Sequence, residues 1–483
     1  MDGYRKSLTQ PPSAWLARVA SLLALLLMMA LATRRAWLSD DAYITFRTVD
    51  NFINGYGLNW NPAERVQSYT HPLWMFLLSA ATLFTHEFYV TPILLSLALT
   101  AICGILLWRT SDSSKTAAPL LLLLSFSPIF IDFSTGGLEN PLSHALMAAF
   151  LLVYLRGKPT RLRPLWLSLL ASLAAFNRLD TMLLYLPALL AVWLKERKWS
   201  TLGWLTLGQT PLVLWEAFSL LYYGFPFPNT FYAKLNTGIP QAELWQHGWY
   251  YLQHALRFDP LLPAMLLAVI VFVLWRRRLD VAAIVVGMLL YLVYILSIGG
   301  DFMGGRFFSV LMVAGAGILA QIQVSRLRLP QWAALFVPVI ILGLLAPLPT
   351  YKVLSAEIQQ HPDRGIFDQH AIADERQTYF FHTGFLLALQ GEQMPQHWYI
   401  DKAREAASQA AASHQTYVTP QINIGIFGFY AGPQVHIVDR YALSDPLLSR
   451  LPTFRTYNWR IGHFTRPIPE GYLETLASGR NQL

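Results

Sequence analysis

The sequence predicts a polytopic α-helical membrane protein of about eleven spans, followed by a C-terminal soluble α/β domain. Three observations point there. The 483 residues are 54% hydrophobic and only 13% charged, about half the charge of an ordinary soluble domain. Apolar runs recur at close to the ~20 residues that cross a bilayer core. The basic residues between those runs fall in alternate loops, the pattern the positive-inside rule imposes on a membrane chain. A net charge of +8 would suit a nucleic-acid binder. That class is excluded because the charge sits in short clusters, such as Arg276-Arg277-Arg278, between apolar runs.

In chain order, spans are expected at 14–36, 90–108, 116–133, 138–156, 164–177, 180–194, 201–222, 260–275, 281–298, 307–324 and 331–348. The start resembles a leader peptide, with Arg5, Lys6, an apolar stretch and Ala30-Leu31-Ala32. An uncleaved first helix is the preferred reading, because cleavage would leave Asp40-Asp41 at a free terminus. An odd number of spans puts the N-terminus in the cytoplasm and the C-terminus outside. The inner loops then carry Arg109 and Lys115; Arg156, Lys158, Arg161 and Arg163; Lys195, Arg197 and Lys198; Arg276 to Arg278; Arg326 and Arg328. The short outer loops at 134–140, 177–180 and 299–306 hold Arg178 and Arg306 alone. Cys103 is the single cysteine and lies in an apolar run, so no intrachain disulfide forms.

Residues 72–86 are too short to span and read as a helix in the membrane interface, anchored by Trp74 and Phe76. The first outer loop, 37–89, is thus long. A second, 223–259, opens with turn chemistry at Gly224 to Asn229 and closes on an amphipathic helix from Glu243 to Leu256. After Pro347 the composition changes. Residues 1–348 form the membrane catalytic domain, and 349–483 are long enough for one small extracytoplasmic domain. In the latter, Ala371 to Leu389 reads as helix, and Ile422 to Tyr430 and Val435 to Val438 read as strands around Ala431-Gly432-Pro433.

The polar residues of the outer loops carry the chemistry. They include the acid pair Asp40-Asp41, the cations Arg47, Arg65, His71, Arg178, Lys234 and Arg306, and the aromatics Tyr43, Tyr69 and Tyr232. Transfer of a sugar from a lipid phosphate needs a carboxylate to take the acceptor hydroxyl's proton. It needs cations for the departing phosphate and an apolar groove for the lipid. All three kinds of part fall on one side of the membrane.

Each also has a structural reading. Asp is a preferred N-cap. Arg34 and Arg35 read as snorkelling residues. Arg178 with Asp180, and Asp301 with Arg306, read equally as local ion pairs. Lys234 suits a surface lysine. Glu139 sits at a helix start, where the dipole favours an acid, and His144 one turn on reads as a bundle histidine. No Cys/His cluster has zinc spacing. Gly299 to Gly305 lacks the strand–helix context and Lys-Ser/Thr ending of a nucleotide loop. No metal or cofactor is expected.

Asp40-Asp41-Ala42-Tyr43-Ile44-Thr45-Phe46-Arg47, then Gly55-Tyr56-Gly57-Leu58, Asn61-Pro62-Ala63-Glu64-Arg65-Val66 and Tyr69-Thr70-His71-Pro72-Leu73-Trp74, resemble the first-loop signature of GT-C membrane glycosyltransferases. The resemblance is closest to the arabinofuranosyltransferases that add terminal arabinofuranose in mycobacterial cell walls. Val438-Asp439-Arg440-Tyr441-Ala442-Leu443-Ser444-Asp445-Pro446-Leu447 and Arg460-Ile461-Gly462-His463-Phe464 extend it to the tail.

The resemblance implies a polyprenyl-phosphate sugar donor, a glycan or protein acceptor and an active site outside the cytoplasm in the bacterial inner membrane. By motif match it implies Asp40 as general base and Asp41 as its partner. Tyr43, Arg47, Glu64, Tyr69, His71, Glu139, Arg178, Lys234 and Arg306 are expected as substrate contacts. Competing readings are a pilin-type protein O-glycosyltransferase, a ligase of whole glycan chains and a lipid-linked sugar flippase. A flippase should have discontinuous helices and midplane charges in paired halves. Here the polar residues gather at one face.

Overall fold

The computed structural model of the chain describes residues 12–483, apart from 236, 278, 325, 362–366, 414–415 and 455–458. Arg5, Lys6 and Arg278 therefore lie outside the described residues. The membrane half comprises α1 (Pro12–Arg34), α2 (Asp40–Ile53), α3 (Pro72–Thr85), α4 (Val90–Thr110), α5 (Ser114–Phe126), α6 (Pro128–Asp132), α7 (Asn140–Arg156), α8 (Arg163–Asn177) and α9 (Met182–Glu196). It continues through α10 (Trp199–Gly208), α11 (Thr210–Tyr222), α12 (Asn229–Leu235), α13 (Gln241–Phe258), α14 (Leu261–Arg276), α15 (Leu279–Ser297), α16 (Ser309–Leu319), α17 (Leu329–Ala334) and α18 (Phe336–Leu344). Proline in the first turn starts α3, α6, α7, α8 and α11, where its missing N–H would have had no helical partner anyway.

Every expected span falls on helix, several of them on broken ones. The runs 116–133, 201–222 and 331–348 each divide into two shorter helices. Among the described residues three helices are singly long and apolar enough to cross a membrane: Ala14–Arg34, Val90–Thr110 and Asp280–Ser297. A fourth span arises if α13 and α14, bent by 98°, count as one. That bend separates the amphipathic outer-loop helix from the apolar run expected after it. Leu22, Leu23 and Leu26 on α1, Val213 and Leu214 on α11 and Leu267 on α14 stay exposed. Such contiguous apolar faces suit a lipid environment, and the chain is membrane-embedded.

Two interface assignments are corrected. Trp74 does not anchor α3 in a membrane surface: it is fully buried and donates its indole N–H to Gly137 O at 2.9 Å. The exposed aromatic of α3 is Phe84, at the opposite end. Arg35 does not snorkel either. It is fully buried, its Nε and Nη2 reach Asp132 at 2.7 and 2.9 Å, and its Nη1 donates to Lys352 O at 2.6 Å. Arg376 Nε lies 2.9 Å from the same Asp132 carboxylate. Two buried arginines on one acid thus tie the end of α1 to the C-terminal segment.

That segment holds α19 (Ala356–Gln360), α20 (Glu375–Thr383), α21 (Phe385–Leu389), α22 (Trp398–Ala412), β1 (Tyr417–Gln421), α23 (Gly425–Ala431), β2 (Val435–Asp439) and α24 (Tyr472–Ser478). The helix expected across 371–389 appears as α20 and α21. The strand expected at 422–430 is instead mostly α23; its intended partner is β2, and the second strand is β1, just upstream. β1 and β2 pair in parallel from Tyr417↔Val435 to Gln421↔Asp439, with α23 as the crossover that a parallel pair requires.

The segment shares its cores with the outer loops. Ile44 and Trp60 pack with Ala403, Ile424, Phe427 and Ile437. Ala233 of α12 packs with Val438, Ala442, Leu448 and Tyr472. Burial of these side chains holds the segment over the start of α2.

Candidate active site

Helix α2 begins at the acid pair because Ser39 caps it, its Oγ accepting from Ala42 N at 3.2 Å. Two acids in the first turn also suit the helix dipole. The cap is held by the loop before α7: Ser39 N donates to Gly136 O at 3.0 Å and Gly136 N to Trp37 O at 2.9 Å. Gly137 permits this contact. Its φ is +72°, and a Cβ there would come within 2.6 Å of Ala42 Cβ.

The adjacent acids point to different surroundings. Asp40 is 8% exposed and turns toward α23. Its Oδ1 accepts from Ile426 N at 2.8 Å and its Oδ2 from Gly425 N at 3.1 Å. Only glycine fits at 425, since an added Cβ would collide with the Asp40 backbone. Burial pushes the Asp40 carboxyl up to about 6, against those two hydrogen bonds. Asp41 keeps partial exposure, and its carboxylate has no hydrogen bond among the described residues. Burial raises its pKa, while Lys234 and then Arg306 pull it down.

Those two cations line a cavity of ≈ 420 Å³. Phe176, Leu179, Trp215, Phe227, Phe231 and Tyr294 make its apolar wall; Arg178, Lys234, Arg306, Asp180, Asp301 and Glu216 are among its polar groups. Behind the wall, fully buried Glu139 joins three partners. Arg178 Nη1 reaches it at 2.7 Å, Arg306 Nη2 at 3.0 Å and His71 Nδ1 at 3.2 Å. His71 Nε2 lies 2.7 Å from Thr45 Oγ1 on α2. Arg178 also pairs with Asp180 at 2.8 Å and lies 4.2 Å over the Phe307 ring. Asp301 stands 3.6 Å from Arg306. The two arginines are therefore both ion-paired and cavity-lining. Among the described residues lining the cavity, Lys234 is the cation with no ion-pair or hydrogen-bond partner. Asp301 Oδ2 and Arg306 Nε are buried without hydrogen-bond partners. Among the described residues, no group of three or more His, Cys, Asp or Glu side chains gathers as metal ligands.

The structure thus joins His71, Glu139, Arg178 and Arg306, places Lys234 in the same cavity lining, and leaves Asp41 in the field of Lys234 and Arg306. It does not bring the other four expected contacts to the cavity. Arg47 is 1% exposed, and its guanidinium donates to Gly428 O at 2.6 Å, Val435 O at 2.8 Å and Trp60 O at 2.9 Å. It staples the first outer loop to the C-terminal segment. Tyr43 is buried against Phe46, Phe429 and Tyr430. Glu64 accepts from Asn61 Nδ2 at 3.2 Å and lies 3.7 Å from His436. Tyr69 shares a hydroxyl contact with Tyr223 at 2.9 Å, with its ring 6.3 Å from cavity-lining Trp215. Sequence reasoning missed Glu375 and gave Arg460 no role. Arg460 pairs with Glu375 at 2.8 Å, and both act on Asp41 electrostatically. The signal available for Arg460 was its place in the tail motif, whose Ile461 reaches the cavity.

No protein-family model matches the chain. It is 26% identical over 335 residues to a terminal β-(1→2)-arabinofuranosyltransferase of Corynebacterium glutamicum, covering 56% of this chain and 46% of that protein. The chain thus spans about half the length of that relative. It is 25% identical over a 531-residue alignment to the protein of the same name from Mycobacterium tuberculosis, covering 90% of this chain and 82% of that one. Among solved structures, ArnT from Cupriavidus metallidurans shares the fold. Its apo form gives a TM-score of 0.54 at 14% identity, covering 90% of this chain and 87% of ArnT. The form bound to undecaprenyl phosphate gives 0.52 at 15% identity, covering 92% and 90%. The chain is arabinofuranosyltransferase-like in sequence and has the fold of a GT-C glycosyltransferase.

Proposed function

We propose that the chain is an integral-membrane glycosyltransferase that moves a pentofuranose, arabinofuranose, from a polyprenyl phosphate to an acceptor hydroxyl on the non-cytoplasmic face. The observation that carries this reading is Asp41: a carboxylate with no hydrogen bond among the described residues, in the field of Lys234 and Arg306, which line a cavity with an aromatic wall. The two actinobacterial relatives are named for arabinofuranosyl transfer, and ArnT, of like fold, was crystallised with undecaprenyl phosphate.

In this reading the lipid lies along Phe176, Leu179 and Trp215, and its phosphate reaches Lys234, Arg178 and Arg306. The acceptor hydroxyl oxygen attacks the anomeric carbon. The bond from that carbon to the phosphate oxygen breaks, and its electron pair leaves with the polyprenyl phosphate. The hydroxyl proton passes to the Asp41 carboxylate. The cations stabilise the charge that grows on the leaving phosphate. Asp40, the expected base, serves instead to clamp α23 and so fix the start of α2. The topology belonging to this reading is eleven spans in the bacterial inner membrane, with the N-terminus in the cytoplasm and residues 349–483 outside.

The test is the purified protein with synthetic polyprenyl-phosphate arabinofuranose and candidate acceptors, read by mass spectrometry. A pentose added to the acceptor is the expected result. Donor movement across vesicles without transfer would overturn it.

A further inference from the structure

The C-terminal segment brings a second charged pair to Asp41. Ala373 N donates to Phe302 O at 2.7 Å, and Gly304 N donates to Ala373 O at 2.9 Å. Residue 373 is therefore stitched to the loop that carries Asp301 and Arg306. Helix α20 starts two residues on, and its far end is tied to the residues before α2. Thr383 Oγ1 donates to Leu38 O at 2.6 Å and accepts from Leu38 N at 3.2 Å. Held at both ends, α20 runs between that loop and the residues just before α2.

Its first residue, Glu375, pairs with Arg460 at 2.8 Å. The Arg460 guanidinium rests 4.4 Å from the Phe302 ring and 4.7 Å from the Phe367 ring. Both members of the pair act on Asp41 electrostatically. Arg460 keeps a side-chain exposure of 21% and has an Nε without a hydrogen-bond partner among the described residues. Asp41 thus lies in the field of two sets of charges. One is the cavity lining, where Lys234 is a cation with no acid paired to it among the described residues and so suits phosphate. The other is a neutral ion pair, which has no net attraction for phosphate. A largely buried pair is weak evidence of stabilisation, and the donor-side chemistry does not use it.

A carboxylate beside a guanidinium presents hydrogen-bond acceptors and donors next to each other. Sugar hydroxyls on adjacent ring carbons both donate and accept, so they match that arrangement; a serine side chain offers a single hydroxyl. We propose that Glu375 and Arg460 form the acceptor subsite, binding ring hydroxyls of a glycan so that a neighbouring hydroxyl faces Asp41. The inference rests on the glycosyltransferase reading above. Glu375 is a positioning residue here, and the proton still goes to Asp41.

The experiment is steady-state transfer by the full-length purified protein, with donor and a short arabinan acceptor varied separately, for wild type, Glu375→Gln and Glu375→Asp. The slow hydrolysis of donor by water is measured alongside. Glu375→Gln should raise the acceptor KM about 10-fold or more with the donor KM unchanged, and be partly rescued in Glu375→Asp. An unchanged acceptor KM overturns the subsite. So does a parallel loss in transfer, hydrolysis and melting temperature, which a purely structural ion pair would give. Wild-type protein that hydrolyses donor yet glycosylates only a serine peptide would overturn the glycan subsite while sparing the transferase reading. Wild-type protein inert toward donor would remove both.

Discussion

The start of α2 packs against the C-terminal segment, and two chemically identical neighbours there meet different surroundings. On the segment side, Asp40 gives both oxygens to backbone N–H groups of α23, and no cation adjusts its charge. Asp41 has no such bond among the described residues and lies in the field of Lys234, Arg306 and Arg460. Arg47 and Arg306 divide in the same way. Arg47 spends its donors on buried backbone carbonyls, while Arg306 lines the cavity with one nitrogen unpartnered. A polar side chain in the first loop serves assembly where backbone groups saturate it, and remains available for chemistry where they do not.

The largest effect that can break this comparison is on turnover. Asp41→Asn removes the proton acceptor and should lower turnover by about 10²–10⁴-fold, with donor binding retained because the phosphate is held by cations. Asp40→Asn keeps one carbonyl oxygen for α23 but places an NH₂ against the other N–H. It should lower the melting temperature more than the turnover of the molecules that remain folded. A dead, fully stable Asp40→Asn beside an active Asp41→Asn would reverse the assignment.

Next in size is the staple. Arg47→Ala leaves the carbonyls of Trp60, Gly428 and Val435 without their donor. Leaving a buried acceptor unsatisfied costs about 1–3 kcal/mol. The expected outcome is a lower unfolding midpoint and faster proteolysis between α22 and β2, with donor affinity of the folded fraction unchanged. A loss of donor affinity at full stability would return Arg47 to the substrate site.

Smaller again is the effect of the unpaired cation. Lys234→Gln should weaken binding of the polyprenyl-phosphate donor about 10-fold, the scale of one charge-assisted hydrogen bond at a partly exposed site. Arg178→Gln should cost stability as well, since it leaves Glu139 and Asp180 short of a partner. Equal donor affinity in wild type and Lys234→Gln, by titration, would remove Lys234 from the phosphate site.

What the sequence revealed follows the same division. Features written in local pattern were legible: the apolar helices, the acid pair at a helix start, and the arginines Arg178 and Arg306 that line the cavity. Features made by distant partners were not. Asp40 is saturated by residues 385 and 386 positions away, and nothing in its own neighbourhood distinguishes it from Asp41. The stretch 422–430 carries Ile and aromatics at strand-like spacing, yet it forms a helix because it must cross between two parallel strands and dock on α2. Glu375 falls inside the helix expected at 371–389 with nothing local to mark it; the bridge from Ala373 to Met303 and the tie of Thr383 to Leu38 bring its helix to the loop that carries Asp301 and Arg306.

The finest test uses pH. A base must be ionised to accept a proton, so kcat/KM for the acceptor falls on the acid side as the carboxylate protonates. Burial raises Asp41 above the usual aspartate range, and Lys234 is the largest influence opposing that rise. Removing the cation in Lys234→Gln disfavours the ionised form, so the carboxyl holds its proton to higher pH and the acid limb moves toward higher pH. Asp40 has no lysine or arginine among the groups that shift it; its rise to about 6 comes from burial and from Asp41. If Asp40 were the base, the same substitution would leave the limb where it was. The profile must be measured at saturating donor, so that weaker phosphate binding does not enter. An upward shift of the acid limb then assigns the proton to Asp41, and an unmoved limb assigns it to Asp40.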